Sequence, residues 1–252
     1  MNKKNLISII TVVKNNEQTI EKCINSVLDQ KYKNFEYIII DGNSTDKTFE
    51  IIKKYKDKIS VISSENDKGI WDAMNKGINL AKGNIIGFLN SDDFYFEDTL
   101  KIVNNYFIND GIDFLFGSVK KYKLLHGFNP KIIKWSFGFY TSHSIGFFIK
   151  TIKHKEVGLY DTNFYSADLD FFYKMIVNHK LIGKSSKKDE IFGEFGKGGY
   201  SSRINYVDHL QDLNLIRIKN GQNVMFVYFL YLIKIIKKPL KFLRAYIKKI
   251  FN

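Results

Sequence analysis

Two adjacent carboxylates, Asp92 and Asp93, stand where the apolar run Ile85-Ile86-Gly87-Phe88-Leu89 gives way to Asn90-Ser91. Two like charges side by side at the end of a buried strand are costly unless a cation lies beside them. Mg²⁺ and Mn²⁺ are held in this way, by one or two carboxylates together with the phosphate oxygens of a substrate. Taken alone, the pair also reads as a solvated Asp-Asp turn. Its company matters. Lys14 and Asn15 follow an apolar run at residues 6–13, Asp41 ends one at residues 35–40, and Glu65-Asn66-Asp67 follow a third at residues 59–62.

The elements that must position these residues alternate in type. Residues 6–13 read as a strand, and Ile20, Cys23, Ile24, Val27 and Leu28 share one helical face. Residues 35–40 form a second strand, and Asp46-Lys47-Thr48 opens a helix. A third strand covers residues 59–62. Residues 69–81 form a helix stopped at Gly83, and the strand that ends at Asp92-Asp93 follows. This βαβαβαβ order predicts an α/β fold, with a mostly parallel central sheet flanked by helices. Open parallel sheets bind ligands at the carboxyl ends of their strands, and every acid and amide above lies at such an end. No G-x-G-x-x-G follows the first strand and no Walker A pattern occurs, which disfavours a dinucleotide fold and a P-loop. The second half is less regular. It reads as a helix at 98–109, a strand at 113–119, a Lys- and aromatic-rich stretch at 120–140 and a strand at 145–149. A helix at 169–177, a Gly/Ser-rich loop at 193–202 and a helix near 205–219 complete it.

The chain has 252 residues, 44% of them hydrophobic and 15% aromatic, enough for a large core. With 2 prolines and 17 glycines it has no composition for long disordered linkers. The single cysteine, Cys23, excludes an intramolecular disulfide and suits a reducing compartment. Ser8, Thr11 and Lys14 interrupt the N-terminal apolar run, which therefore reads as a strand and not as a signal peptide. The net charge is +13, a balance that suits nucleic acid, anionic lipid or phosphorylated substrates.

Ordered along the chain, these residues resemble a family 2 glycosyltransferase of the GT-A (Rossmann-like) fold, of the bacterial cell-surface polysaccharide and lipooligosaccharide type. Ser8-Ile9-Ile10-Thr11-Val12-Val13-Lys14-Asn15 is similar to the opening strand, and Asp41-Gly42-Asn43-Ser44-Thr45-Asp46 to the D-G-x-S-x-D turn. Ser64-Glu65-Asn66-Asp67-Lys68-Gly69-Ile70-Trp71-Asp72-Ala73-Met74-Asn75 resembles the S-E-x-D-x-G-I-x-D-A-M-N segment of one bacterial subgroup. Asn90-Ser91-Asp92-Asp93 stands where the metal motif belongs. His143, Gly158-Leu159-Tyr160-Asp161 and Asp168-Leu169-Asp170 resemble acceptor-side elements, and Gly198-Gly199-Tyr200-Ser201-Ser202 a later loop.

The resemblance implies an inverting, metal-dependent transferase that uses a nucleotide-sugar donor, a UDP-sugar first of all, and a glycan or lipid-linked acceptor. Thr11, Val13, Asn15, Asp41, Asp67 and Asp92 would bind the donor, with Asp41 on the base, Asp67 on base or ribose and Asp92 on ribose or sugar. Asp93 would hold Mn²⁺ or Mg²⁺. Asp168 would be the base that takes the acceptor's proton. Ala167 stands where the family carries a glutamate, which leaves Asp170 as a competing base and a helix cap as an ordinary role for Asp168. His143, Ser201 and Arg203 would contact acceptor or phosphate. A transferase domain would occupy residues 1–220, with a donor half to residue 110 and an acceptor half from 111.

Residues 221–252 form a tail without a single acid, and Lys234, Lys237, Lys238, Lys241, Arg244, Lys248 and Lys249 all lie in it. Ile236, Leu240, Leu243, Ile247 and Ile250 recur at helical spacing, with Pro239 kinking the helix or opening a second segment. The pattern predicts a basic amphipathic tail lying on an anionic membrane, peripheral at the cytoplasmic face. It disfavours nucleic acid as the partner, because the predicted ligand edge is rich in carboxylates. A catalytically inactive scaffold is the remaining alternative.

Overall fold

The computed structural model describes residues 4–109, 111–140, 144–196 and 204–251. Chain order begins with β1 (Ile7–Val13), α1 (Ile20–Leu28), β2 (Phe35–Asp41), α2 (Thr48–Lys53), β3 (Val61–Ser64), α3 (Ile70–Leu80) and β4 (Ile85–Phe88). It continues through β5 (Phe94–Tyr95), α4 (Thr99–Asn109), β6 (Phe114–Phe116), β7 (Ser118–Lys120), β8 (Leu124–Leu125), β9 (Phe147–Lys150) and α5 (Thr151–Val157). Then come α6 (Ala167–Tyr173), β10 (Gly183–Ser185), β11 (Ile191–Glu194), α7 (Tyr206–Lys219), α8 (Val224–Lys237) and α9 (Pro239–Ile250).

β1 shows how the sequence makes the layers. Its side chains alternate between faces. Ile7, Ile9 and Val13 join Ile20, Cys23, Ile24 and Val27 of α1 in one core, while Ile10 and Val12 join Ala73, Met74 and Ile78 of α3 in the other. Both faces of the central sheet are therefore covered, which is why the strand reads as one apolar run. Seven strands form that sheet, in the order β10-β6-β9-β4-β1-β2-β3. The β1–β2, β1–β4, β2–β3 and β6–β10 pairs are parallel, as the alternating order predicts. β9 departs from this. It runs antiparallel to both β4 and β6, so the sheet is mixed rather than purely parallel. A hydrophobic strand carries no direction in its sequence, and the connection that precedes β9 fixes it.

The strand expected over 113–119 is two strands in two sheets. β6 belongs to the central sheet, whereas β7 joins the four-stranded sheet β5-β11-β7-β8. Gly117 makes the change. Its N–H donates to Gly146 O at 2.8 Å, and a Cβ there would stand 2.1 Å from the Phe192 ring. The helix expected over 169–177 is α6 followed by a wider π-type turn at Lys174–Asn178.

α7 is held against the segment around Ile133 and Lys134, which precedes β9, through Arg217, which is 1% exposed and donates to Ile133 O, Lys134 O and Gln222 Oε1. α8 buries Val227 and Leu230, and Phe226 meets Trp135 edge to face at 4.7 Å. α9 starts with Pro239 at its first turn and is tied to α7 by Lys249–Asp208 and by Asn205 Nδ2 to Ala245 O. None of its residues is buried.

Candidate functional site

A cleft of about 1000 Å³ opens at the carboxyl ends of the central strands. The parallel register places Val13 beside Asp41 and Asp41 beside Ser64, so the loops after β1, β2 and β3 converge there. Val13 and Asn15, then Asn90, Ser91 and Asp92, and from the second half of the chain Asp168, all line it.

The loop after β2 is a cross-linked turn. Asp41 is fully buried and accepts from Ser44 Oγ at 2.5 Å and Ser64 Oγ at 2.6 Å. Ser44 Oγ in turn accepts from Asn15 N at 2.8 Å, and Asn15 Oδ1 accepts from Thr45 N at 2.8 Å. Asp46 accepts from the Thr48 and Glu17 amides. Gly42 leaves room for Asp67, since a Cβ there would stand 2.2 Å from Asp67 Oδ2 and displace that carboxylate. Each residue of the D-G-x-S-x-D turn thus has a mechanical duty. Asn15 and Asp67 reach the cleft from this scaffold. Asp41 and Thr11 do not line it. Asp41 is occupied inside the turn, and Thr11 lies two residues deeper on the Val13 face of the sheet, where its hydroxyl bonds Tyr37 Oη at 3.1 Å.

Asn90-Ser91-Asp92-Asp93 is a turn closed by Asp93 N to Asn90 O at 3.0 Å. The loop after β1 braces it, through Asn16 Nδ2 to Ser91 Oγ and Thr19 Oγ1 to Ser91 O, both at 2.7 Å. Asp92 faces the cleft, whereas Asp93 is 1% exposed and accepts from Gly196 N at 2.8 Å. Burial first, then the Asp92 charge, pushes the Asp93 carboxyl up to about 8; burial also raises Asp92. Asn90 Oδ1 is buried beside them, without a hydrogen-bond donor among the described residues. A buried carboxyl whose ionisation is suppressed by burial and by a neighbouring acid, next to an orphaned amide oxygen, is part of a donor set short of a cation. Among the described residues no third His, Cys, Asp or Glu joins them. The set therefore fits Mg²⁺ or Mn²⁺ shared with substrate phosphates, rather than a cage built wholly of protein.

Across the cleft, α3 anchors the segment leading to Asp168. Asn75 bonds the Tyr160 backbone through both its amide atoms at 2.9 Å, and Trp71 Nε1 donates to Tyr165 O at 3.1 Å. Asp212 of α7 accepts from Ser166 N at 2.7 Å and Tyr165 N at 3.3 Å, fixing the start of α6. Asp168 follows in the first turn. Burial pushes its carboxyl up to about 6, the amide of Leu169 opposes this, Asp212 adds to it, and a hydrogen bond from Tyr140 opposes it. Asp170 points elsewhere: it is 1% exposed, pairs with Lys174 at 2.6 Å and accepts from Asn220 Nδ2 at 2.7 Å. Of the two competing acids, Asp168 faces the cleft and Asp170 is committed to the core.

His143, Ser201 and Arg203 lie outside the described residues. Tyr140, Asp212, Asn90, His209 and Lys241 carry parts of the site that sequence reading did not assign. Asn90 had a signal, being in the same short motif as the two acids. The others are single residues far apart in the chain, and only the fold brings them to Asp168 or to the cleft rim.

The description "Glycosyl transferase family 2" belongs to a family model that matches residues 8–167. The Escherichia coli UDP-Glc:alpha-D-GlcNAc-diphosphoundecaprenol beta-1,3-glucosyltransferase WfaP is 45% identical over 100 residues, 39% of each chain. The match thus spans about two-fifths of that relative's length. Among solved structures, S. aureus TarS in complex with UDP-GlcNAc superposes with a TM-score of 0.69 at 20% identity, covering 90% of this chain and 70% of that one. Mannosyltransferase PcManGT from Pyrobaculum calidifontis, in complex with GDP-Man and Mn²⁺, does so with a TM-score of 0.66 at 16% identity, covering 90% and 69%. At such identities the two structures speak for the fold.

Proposed function

We propose that this chain, which belongs to glycosyl transferase family 2, moves a sugar with inversion from a UDP-sugar to a lipid-linked saccharide in cell-surface glycan synthesis. One observation carries the reading. A single cleft is lined both by Asp92, whose neighbour Asp93 is buried next to it and raised to about 8, and by Asp168, a carboxyl raised to about 6. The first suits a diphosphate and the second suits proton abstraction.

In this reading Asn15, Val13 and Asp67 hold the nucleoside end of the donor, supported from behind by the Asp41 turn and Thr11. Asp92 and Asp93, with Asn90 Oδ1, would hold Mg²⁺ or Mn²⁺, which when bound offsets the charge of the departing diphosphate. Asp168 takes the proton of the acceptor hydroxyl while that oxygen bonds to the anomeric carbon. The carbon–oxygen bond to the nucleoside diphosphate breaks on the opposite face, and the configuration inverts. A relative that acts on UDP-Glc and a fold neighbour bound to UDP-GlcNAc support the choice of nucleotide, and the Mn²⁺ of the mannosyltransferase supports the metal. The membrane part rests on the last two helices. No described helix is long and apolar enough to cross a bilayer, but Met225, Leu232, Ile236 and Leu240 stand exposed on them, together with the exposed cations Lys237, Lys238, Arg244 and Lys248.

The test is UDP-sugar hydrolysis and transfer with Mn²⁺, with Mg²⁺ and in EDTA. Asp93→Asn and EDTA should each lower turnover at least a hundredfold. Undiminished activity in either condition rejects the metal assignment, and the absence of turnover with every nucleotide-sugar rejects the transferase reading.

A further inference from the structure

The cleft has a cationic rim that the transfer chemistry leaves unused. It forms where α8 and α9 meet α7. Lys241, in the first turn of α9, lines the cleft beside Tyr206 and His209, and its ammonium lies 4.4 Å from the centre of the Tyr206 ring. Lys234, in the last turn of α8, stands close enough to His209 to act on it together with Lys241, and it feels the charge of Arg217. The neighbouring acids are occupied elsewhere. Asp208 pairs with Lys249, Asp212 takes the Tyr165 and Ser166 amides, and Asp170 pairs with Lys174. Among the described residues, neither Lys234 nor Lys241 has a carboxylate partner. Cations gathered without neutralisation at the mouth of a cleft repel each other unless an anion joins them.

The position of α9 says which kind of anion. Leu240, Leu243 and Ile247, on either side of Lys241 in sequence, are 69%, 53% and 46% exposed. An amphiphile could rest its hydrocarbon on that apolar row and place its polar head in the cleft. Asp92, which lines the same cleft, and its neighbour Asp93 are acids and suit the donor diphosphate only with a metal.

We infer that Lys241, backed by Lys234 and His209, binds the phosphate joining the acceptor saccharide to its lipid. The enzyme then recognises its acceptor as a lipid phosphate as well as a sugar. This deepens the functional reading above and rests on the cleft being a glycosyl-transfer site.

Farnesyl diphosphate is a soluble probe of that chemistry, with farnesol and inorganic diphosphate as its two halves. Calorimetry on the full chain should show farnesyl diphosphate binding more tightly than either half. Lys241→Gln should weaken it about tenfold, and Lys234→Gln severalfold. Lys241→Arg should keep most of the affinity, and all three should leave UDP binding unchanged. Unchanged farnesyl diphosphate affinity in both Gln variants overturns the site. Displacement of the probe by UDP, with its loss in Asp93→Asn, also overturns it, because the phosphate then occupies the donor end. So does an equal loss of binding to phosphatidylglycerol vesicles in Lys241→Gln, which would mark a general headgroup contact. If the probe's affinity depends on Lys241 but UDP neither binds nor turns over, the phosphate site stands and the transferase reading falls.

Discussion

A carboxylate that accepts a proton in the transition state works best with a pKa near the working pH. Asp168 reaches about 6 chiefly because it is buried, while the Leu169 amide and the Tyr140 hydroxyl favour its ionised form. In the proposed mechanism the ionised form is the active one, so transfer should fall as the pH drops through about 6. Tyr140→Phe removes a bond that favours ionisation. It should therefore raise the Asp168 pKa and move the acid limb to higher pH, with most of the rate retained near pH 8.5. Asp168→Asn should lose two to four orders of magnitude at every pH. Profiles of kcat/KM from pH 5 to 9 check all three, and an acid limb that stays in place in Tyr140→Phe removes Tyr140 from the account. Asp168 was legible because it sits in a short motif at the start of a helical pattern. Tyr140 was not, since it is one aromatic residue in an aromatic-rich stretch. Asp41 shows the converse. Its motif could be read, but its side chain serves the turn and does not line the cleft, which only the bonds to Ser44 and Ser64 reveal.

Elements meet along seams, and the one between α5 and α6 contains a histidine. His154 of α5 is fully buried, stacks on Phe171 of α6 at 4.3 Å and lies against Phe88 and Tyr160. Among the described residues, neither ring nitrogen has a partner outside its own residue, and burial pushes its pKa down to about 3. An unfolded histidine titrates near 6.5. Its neutral folded form is thus unopposed above pH 6.5, and stability is lost as the pH falls from there towards 3. The loss is about 1.4 kcal/mol per pH unit. His154→Phe should remove this dependence. At pH 5 it should be about 2 kcal/mol less acid-destabilised than the parent, relative to pH 7.5. Urea melts at the two pH values measure it, and parallel losses in both proteins would show that the seam is not the source. The seam was invisible in the sequence, where residues 151–157 had no assigned element. The break at Gly117 was hidden for another reason. Apolar periodicity runs unbroken through residues 113–119, and the change of sheet depends on Phe192, more than seventy residues away.

On the scale of the whole molecule, the alternation of the first hundred residues set the order of the sheet and the edge where ligands gather, because each strand there is fixed by its own helical crossover. The direction of β9 and the second sheet depend on long-range pairing and were not readable locally. The tail combines both situations. Its helices, the turn at Pro239 and its basic, apolar-striped composition follow from local pattern. Its attachment through Val227, Leu230 and the Lys249–Asp208 pair does not. That attachment decides how membrane binding should be tested. Deleting residues 224–252 would uncover the face of α7 that α8 and α9 cover, so lost binding could reflect damage to the fold. Leu243 and Ile247 are about half exposed and bury nothing of α9, which makes them the better targets. Leu243→Glu with Ile247→Glu should leave the thermal midpoint within about 2 °C. Each lost insertion should cost about 1 kcal/mol, so affinity for phosphatidylglycerol vesicles should fall roughly thirtyfold for the pair. The exposed tail cations Lys237, Lys238, Arg244 and Lys248 add a term that salt screens. Binding of the parent should therefore weaken at 0.5 M NaCl and be weaker still on phosphatidylcholine. Co-sedimentation across these conditions tests the whole-molecule reading. A double variant that sediments with phosphatidylglycerol as well as the parent does would detach the apolar row from membranes and leave it as a surface for another partner.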